Sequence, residues 1–67
     1  MEGPKFIAAM ESIVSSIEEA GQNPYDQLYG YLTTGKEAYI TRTGNARELI
    51  KALERDRIWD YIKKMKT

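Results

Sequence analysis

The sequence predicts an all-α protein, a small bundle of three to four short helices that forms a homodimer. Apolar residues recur at helical spacing along most of the chain, and Pro, Asn and Gly stand where helices begin or end. A chain of 67 residues has room for one hydrophobic core, so we treat residues 1–67 as a single helical domain. Because the chain has no cysteine for a disulfide, association with a second copy is the available way to bury more apolar surface.

The clearest predicted helix runs from Pro4 to Ala20. At 100° per residue its apolar side chains fall on one side, and glutamates and serines occupy the other. Pro4 suits the first turn, where a missing N–H costs nothing, and Gly21 suits the left-handed residue that follows a helix. This pattern predicts an amphipathic helix that ends at Gly21.

A second helix is predicted to begin after Asn23 and to end at Gly35. Asn23 can cap it, and Pro24 fits its first position. Gly30 lies inside this helix, where it costs about 1 kcal/mol relative to Ala. Its presence indicates that a neighbouring helix comes close at this point.

Residues 36–44 lack clear periodicity, and we expect a single turn or short extended piece there. Tyr39 and Ile40 of this piece are predicted to fill the core. The next helix is predicted from a capping-box spacing, with Asn45 at the cap and Glu48 three residues on.

The apolar stripe changes register after Leu53. Either one helix bends and serves two surfaces, or Asp56 caps a separate fourth helix, and we favour the fourth helix. The apolar arc of this last segment is wide for a helix at the margin of a small core. We therefore expect its surplus to form the dimer interface, through Ile58, Trp59, Ile62 and Met65.

The composition argues against most kinds of catalytic, metal-binding and nucleic-acid-binding site. The chain has neither Cys nor His, and its 10 basic and 10 acidic residues give zero net charge, which disfavours a dedicated nucleic-acid binder. No glycine-rich phosphate loop or activated nucleophile is present. We therefore predict a protein that is not an enzyme and needs no cofactor or metal. The start of the chain does not resemble a signal peptide and no apolar run could span a membrane, so we expect a cytoplasmic location.

Two features of the second half leave alternatives open. The first is a set of basic residues, Arg42, Arg47, Lys51 and Arg55, of which the last three are spaced by four. This pattern predicts either a solvated face with pairing inside the helix or a patch that binds a carboxylate or phosphate of a partner. The segment Thr41–Thr43 offers loop hydroxyls beside an arginine, which could be phosphorylated or could serve only as caps. A helix-turn-helix reader of DNA is an alternative function, disfavoured by the long Gly35–Gly44 connection.

The run GQNPYDQLYGYLTTGKEAYITRTGNARELIKALERDRI resembles the IreB-like family of small bacterial regulatory phosphoproteins. Its motifs are Asn-Pro-x-x-Gln-x-x-Gly-Tyr from Asn23 and Glu-Arg-Asp from Glu54. The matching positions are Gly21, Asn23, Pro24, Gln27, Gly30, Tyr31, Leu32, Gly35, Ala38, Tyr39, Ile40, Asn45, Ala46, Arg47, Ile50, Glu54, Arg55, Asp56 and Ile58.

The resemblance implies an all-helical homodimer without catalytic activity. It also implies a cytoplasmic partner of a membrane Ser/Thr protein kinase that regulates cell-envelope synthesis and antibiotic tolerance through protein contacts. In that family, phosphorylated threonines precede the first helix, whereas the first threonine here is Thr33, so the phosphorylation site stays unknown. Among the matching positions we expect partner contacts at Tyr31, Tyr39, Arg47, Arg55 and Asp56.

Overall fold

A computed structural model describes residues 4–66, and within that range the backbone forms four α-helices and no strand. The elements are α1 (Pro4–Glu19), α2 (Pro24–Thr34), a 3-10 turn (Glu37–Tyr39), α3 (Ala46–Lys51) and α4 (Arg55–Lys66). The predicted all-helical bundle is confirmed, and so is the separate fourth helix.

α1 ends as its sequence predicts. Gly21 takes the left-handed conformation with φ of 76°, and its N–H donates to the carbonyl of Glu18 at 2.9 Å. The N–H of Gln22 reaches further back, to the carbonyl of Ile17 at 3.1 Å. These two bonds satisfy carbonyls that the last turn of any helix leaves without a partner inside the helix.

α2 is closed at both ends by the predicted residues. The side chain of Asn23 accepts a hydrogen bond from the N–H of Asp26 at 3.1 Å, and Pro24 occupies the first position. At the other end Gly35, with φ of 75°, donates its N–H to the carbonyl of Tyr31 at 2.7 Å. Both ends of α2 therefore depend on residues that lie within one turn of them.

The capping box predicted for α3 does not form. Asn45 has φ of −105° and ψ of 27°, and its side chain makes no hydrogen bond to the cap. A capping side chain needs extended backbone at this position to face the free N–H groups, so the observed conformation explains the failure. The backbone carbonyl of Asn45 instead accepts the N–H of Leu49 at 2.9 Å.

The break between α3 and α4 falls at residues 52–54. The N–H of Ile58 donates to the carbonyl of Glu54 at 3.1 Å, so Glu54 stands just before α4 and Asp56 lies inside its first turn. The prediction that Asp56 caps this helix is therefore wrong by two positions. In the first turn its carboxylate still complements the positive end of the helix dipole.

The core lies where α1 packs against α2 and α3, and where α2 packs against α4. Its buried side chains come from every helix and from the segment between α2 and α3: Phe6, Met10, Ile13, Ile17, Leu28, Tyr31, Leu32, Ile40, Ala46, Ile50, Ile58 and Ile62. None of the described helices combines the length and hydrophobicity that a membrane crossing requires.

Candidate protein-contact surface

Two basic side chains of α3 hold the segment that joins α2 to α3, residues 35–45, which we call the connector. Nε of Arg47 donates to the carbonyl of Ile40 at 2.8 Å, in a half-buried position. Nζ of Lys51, one turn further on, lies 3.0 Å from a carboxylate oxygen of Glu37. Both side chains therefore contact the connector instead of the acidic side chains with which their spacing would have let them pair.

This arrangement also disfavours the helix-turn-helix alternative. A recognition helix must present its side chains to the major groove, whereas α3 has six residues and directs Arg47 and Lys51 to the protein's own connector.

Arg55, the third residue of the predicted basic row, joins α4 to the end of α2. Its guanidinium lies over the ring of Tyr31, 5.8 Å from the ring centre, and Nη2 would be 2.9 Å from a Cβ built on Gly35. The last turn of α2 has no basic residue of its own. Arg55 therefore supplies, from another helix, a positive charge beside the negative end of the α2 dipole.

The connector also lies along α2. The amide N–H of Thr41 donates to Oε1 of Gln27 at 2.9 Å, and the ring of Tyr39 lies on Gly30. Ile40 is buried, as predicted, but Tyr39 is 48% exposed, so the expectation that it fills the core is wrong. Gly30 makes room for an aromatic ring of the connector and not for a neighbouring helix.

The loop hydroxyls of Thr41 and Thr43, which the sequence offered as phosphorylation or capping groups, bond to each other. The two Oγ1 atoms are 3.2 Å apart, and the N–H of Thr43 donates to Oγ1 of Thr41 at 3.2 Å. Both threonines are half-buried, whereas Thr33 and Thr34 at the end of α2 are exposed. Arg42 between the loop threonines is exposed.

Three aromatic rings of α2 and α4 form a continuous cluster that reaches the surface. Tyr25 and Tyr29 are stacked with ring centres 6.0 Å apart, and Tyr29 meets Trp59 edge-on at 5.7 Å. Tyr29 is 47% exposed, and the other two are half-buried. We call Tyr25, Tyr29 and Trp59 the aromatic surface. The sequence pattern predicted no site at Tyr25 or Tyr29, and the only signal was the wide apolar arc around Trp59.

The residues predicted for the dimer interface divide into two pairs. Ile58 and Ile62 are fully buried inside the subunit, at 0% exposure, so their side chains are not available to a second copy. Trp59 and Met65 are half-buried and pack at the edge of the core. The apolar surface of α4 that remains available to a partner is therefore smaller than the sequence pattern suggests.

The predicted partner contacts also divide. Tyr39, Arg55 and Asp56 are exposed. Tyr31 is 6% exposed and belongs to the core, while Arg47 is half-buried and committed to Ile40. A contact role is therefore open to Tyr39, Arg55 and Asp56, whereas Tyr31 and Arg47 have structural partners that account for them.

Residues 4–66 enclose no pocket, and they bring no three metal-ligating side chains together. The chain was also compared with known protein families. A family model described as IreB regulatory phosphoprotein matches residues 2–65, a range that contains the connector and the aromatic surface.

Proposed function

The chain belongs to the IreB family of regulatory phosphoproteins, and on that premise we propose that it is a non-enzymatic regulator that acts by binding other proteins. We further propose that it works in the cytoplasm with a membrane Ser/Thr kinase that controls cell-envelope synthesis. The observation that carries this proposal is the family match over residues 2–65. The exposed aromatic residues support it, because such residues are enriched where proteins bind each other.

We assign the aromatic surface to a second copy of the chain. A small domain gains stability when association covers apolar area that its own core cannot reach. Tyr29 and Trp59 meet at the seam between α2 and α4, so one patch on each subunit could meet its own counterpart across a two-fold axis.

In this proposal Tyr39 and Arg55 contact the kinase. Tyr39 is exposed on the connector, and Arg55 lies at the end of α2 that precedes it. Tyrosine and arginine are among the residue types that most often dominate binding energies at protein interfaces.

Tyr29 and Tyr39 form a matched pair for the test of these assignments, because their exposures are 47% and 48%. We expect light scattering during gel filtration to give twice the 7.7 kDa of one chain for wild type and for Tyr39→Ser. Tyr29→Ser should shift the protein toward the single-chain mass. A wild-type protein that stays at the single-chain mass at micromolar concentration would contradict the dimer.

The partner is tested with the purified cytoplasmic part of the membrane Ser/Thr kinase of the same cell. We expect wild type to bind it, and Tyr39→Ser to bind at least tenfold more weakly. Arg57→Gln, which changes an exposed arginine outside the predicted contacts, should bind like wild type. In cells, deletion of the gene should change tolerance to a cell-wall antibiotic, and the Tyr39→Ser gene should fail to restore it. Unchanged tolerance after deletion, with an effect from kinase deletion as the positive control, would reject the proposed pathway.

A further inference from the structure

The four threonines within residues 4–66 differ in how readily a kinase could reach them. Thr41 and Thr43 are half-buried, and their hydroxyls bond to each other. Thr33 and Thr34 are exposed at the end of α2. A protein kinase has to reach the acceptor residue from solvent, so exposure favours the second pair.

Thr34 differs from Thr33 in the backbone that comes after it. It is the last residue of α2, after which Gly35 is left-handed and Lys36 is extended, with φ of −99° and ψ of 119°. Its Oγ1 donates to the carbonyl of Gly30 at 2.7 Å and accepts the N–H of Lys36 at 3.2 Å. This hydroxyl therefore ties the start of the connector to the last turn of α2.

We propose that Thr34 is a phosphorylation site and that Arg55 binds the phosphate, an inference that rests on the proposed link to a Ser/Thr kinase. In the reaction, Oγ1 of Thr34 forms a bond to the γ-phosphorus of ATP as the bond to ADP breaks. The hydroxyl proton leaves to a base of the kinase. The modified Oγ1 carries no hydrogen, so its bond to the carbonyl of Gly30 is lost.

The new charge has an unfavourable and a favourable neighbour. A phosphate at the end of a helix is repelled by the negative pole of the helix dipole. Arg55 is the compensating cation, because Nη2 would be 2.9 Å from a Cβ on Gly35, the residue next to Thr34. Lys36, two residues on, adds a second exposed positive charge.

Arg55 cannot serve the phosphate and Tyr31 equally well. A contact between a cation and a ring at an exposed site is weaker than charge-assisted hydrogen bonds to a phosphate. Phosphorylation therefore draws Arg55 away from the ring of Tyr31. Because this contact joins α4 to the end of α2, the phosphate changes how these two helices meet beside the connector.

The first experiment identifies the acceptor. The full chain is incubated with ATP and the cytoplasmic part of the membrane Ser/Thr kinase, and the product is analysed by intact mass and peptide mapping. We expect wild type and Thr33→Val to gain one phosphate on Thr34, and Thr34→Val to gain none. A phosphate on Thr33, Thr41, Thr43 or Thr67, or no transfer at all, would overturn the site. Binding to the kinase measured in the same samples keeps that outcome separate from the proposed function.

The second experiment tests Arg55 without a kinase. The chain is short enough for chemical synthesis with phosphothreonine at position 34, in wild-type, Arg55→Gln and Arg57→Gln forms. Unfolding is measured for each with and without the phosphate. We expect the phosphate and Arg55 to couple by about tenfold in the unfolding equilibrium constant, the size of a charge-assisted hydrogen bond. The coupling should shrink in 1 M salt, because the length over which salt screens electrostatic interactions falls to about 3 Å.

The matched arginine and the ring of Tyr31 give independent readouts. Arg57, exposed in the same turn of α4 and 4.0 Å from Glu54, should show no coupling to the phosphate. The ring protons of Tyr31 should shift on phosphorylation in wild type and not in Arg55→Gln. Two results would overturn the role of Arg55. One is that the effects of the phosphate and of Arg55→Gln on the unfolding free energy are additive, and the other is that the phosphate couples equally to Arg57.

Discussion

The ring of Tyr39 lies on the backbone of Gly30, so closely that a Cβ built on Gly30 would be 2.7 Å from Cδ1 of the ring. Cγ and Cβ of Tyr39 would be 3.1 and 3.4 Å from the same point, so rotation of the ring alone would not clear the space. The connector can therefore lie along α2 in this way because residue 30 has no side chain.

This contact predicts that the effect of Gly30→Ala on stability depends on whether the ring of Tyr39 is present. In a Tyr39→Ser background we expect Gly30→Ala to stabilise the protein by about 1 kcal/mol, the difference in helix propensity. In wild type the displaced ring should cancel that gain or reverse it, since overpacking costs about 1–3 kcal/mol. Urea unfolding of the four proteins checks this. Equal stabilisation in both backgrounds would show that the ring does not restrict position 30.

Arg47 is predicted to stabilise the fold through its bond to Ile40. Arg47→Met removes the charged donor and leaves the half-buried carbonyl without it, at a cost of about 1.5–3 kcal/mol. The matched change Arg42→Met alters an exposed arginine of the connector and should stay within about 0.5 kcal/mol. Thermal unfolding of both variants provides the measurement. If the two arginines cost the same, the bond to Ile40 contributes nothing.

The two asparagines that precede helices should behave differently. Asn23→Ala loses a side-chain cap and should lower the free energy of unfolding by about 1 kcal/mol. Asn45 makes no such bond, so Asn45→Ala should change stability by only a few tenths of a kcal/mol. Denaturant titration of the pair decides between this structure and the capping box that the sequence pattern predicts, for which the two costs would be equal.

Two neighbouring residues of α4 should separate stability from association. Ile62 is fully buried in the subunit, so Ile62→Val should cost about 1 kcal/mol of stability and leave the dimer dissociation constant unchanged. Trp59→Ser should weaken the dimer by tenfold or more, because Trp59 belongs to the aromatic surface. Sedimentation over a range of concentrations measures the second effect. A weaker dimer in Ile62→Val would mean that α4 rearranges when two subunits meet.

Most of the fold could be predicted because helix ends depend on nearby residues. Gly21 and Gly35 end helices through their own backbone conformation, and Asn23 caps through an amide only three residues away. The break before α4 was visible in the register of the apolar stripe. Asn45 has the same chemistry as Asn23, but its backbone conformation is set by the path of the connector, which no local pattern reveals.

Local sequence was enough to establish that this chain is helical, where its first two helices end, and which family it resembles. The packing of the helices was needed to establish that Arg47 bonds to Ile40, that Arg55 lies over Tyr31, and that Tyr39 stays exposed while Ile40 is buried. The difference is one of range. A helix forms through contacts three or four residues apart, whereas the partner of a long side chain depends on how separate helices pack around the same core.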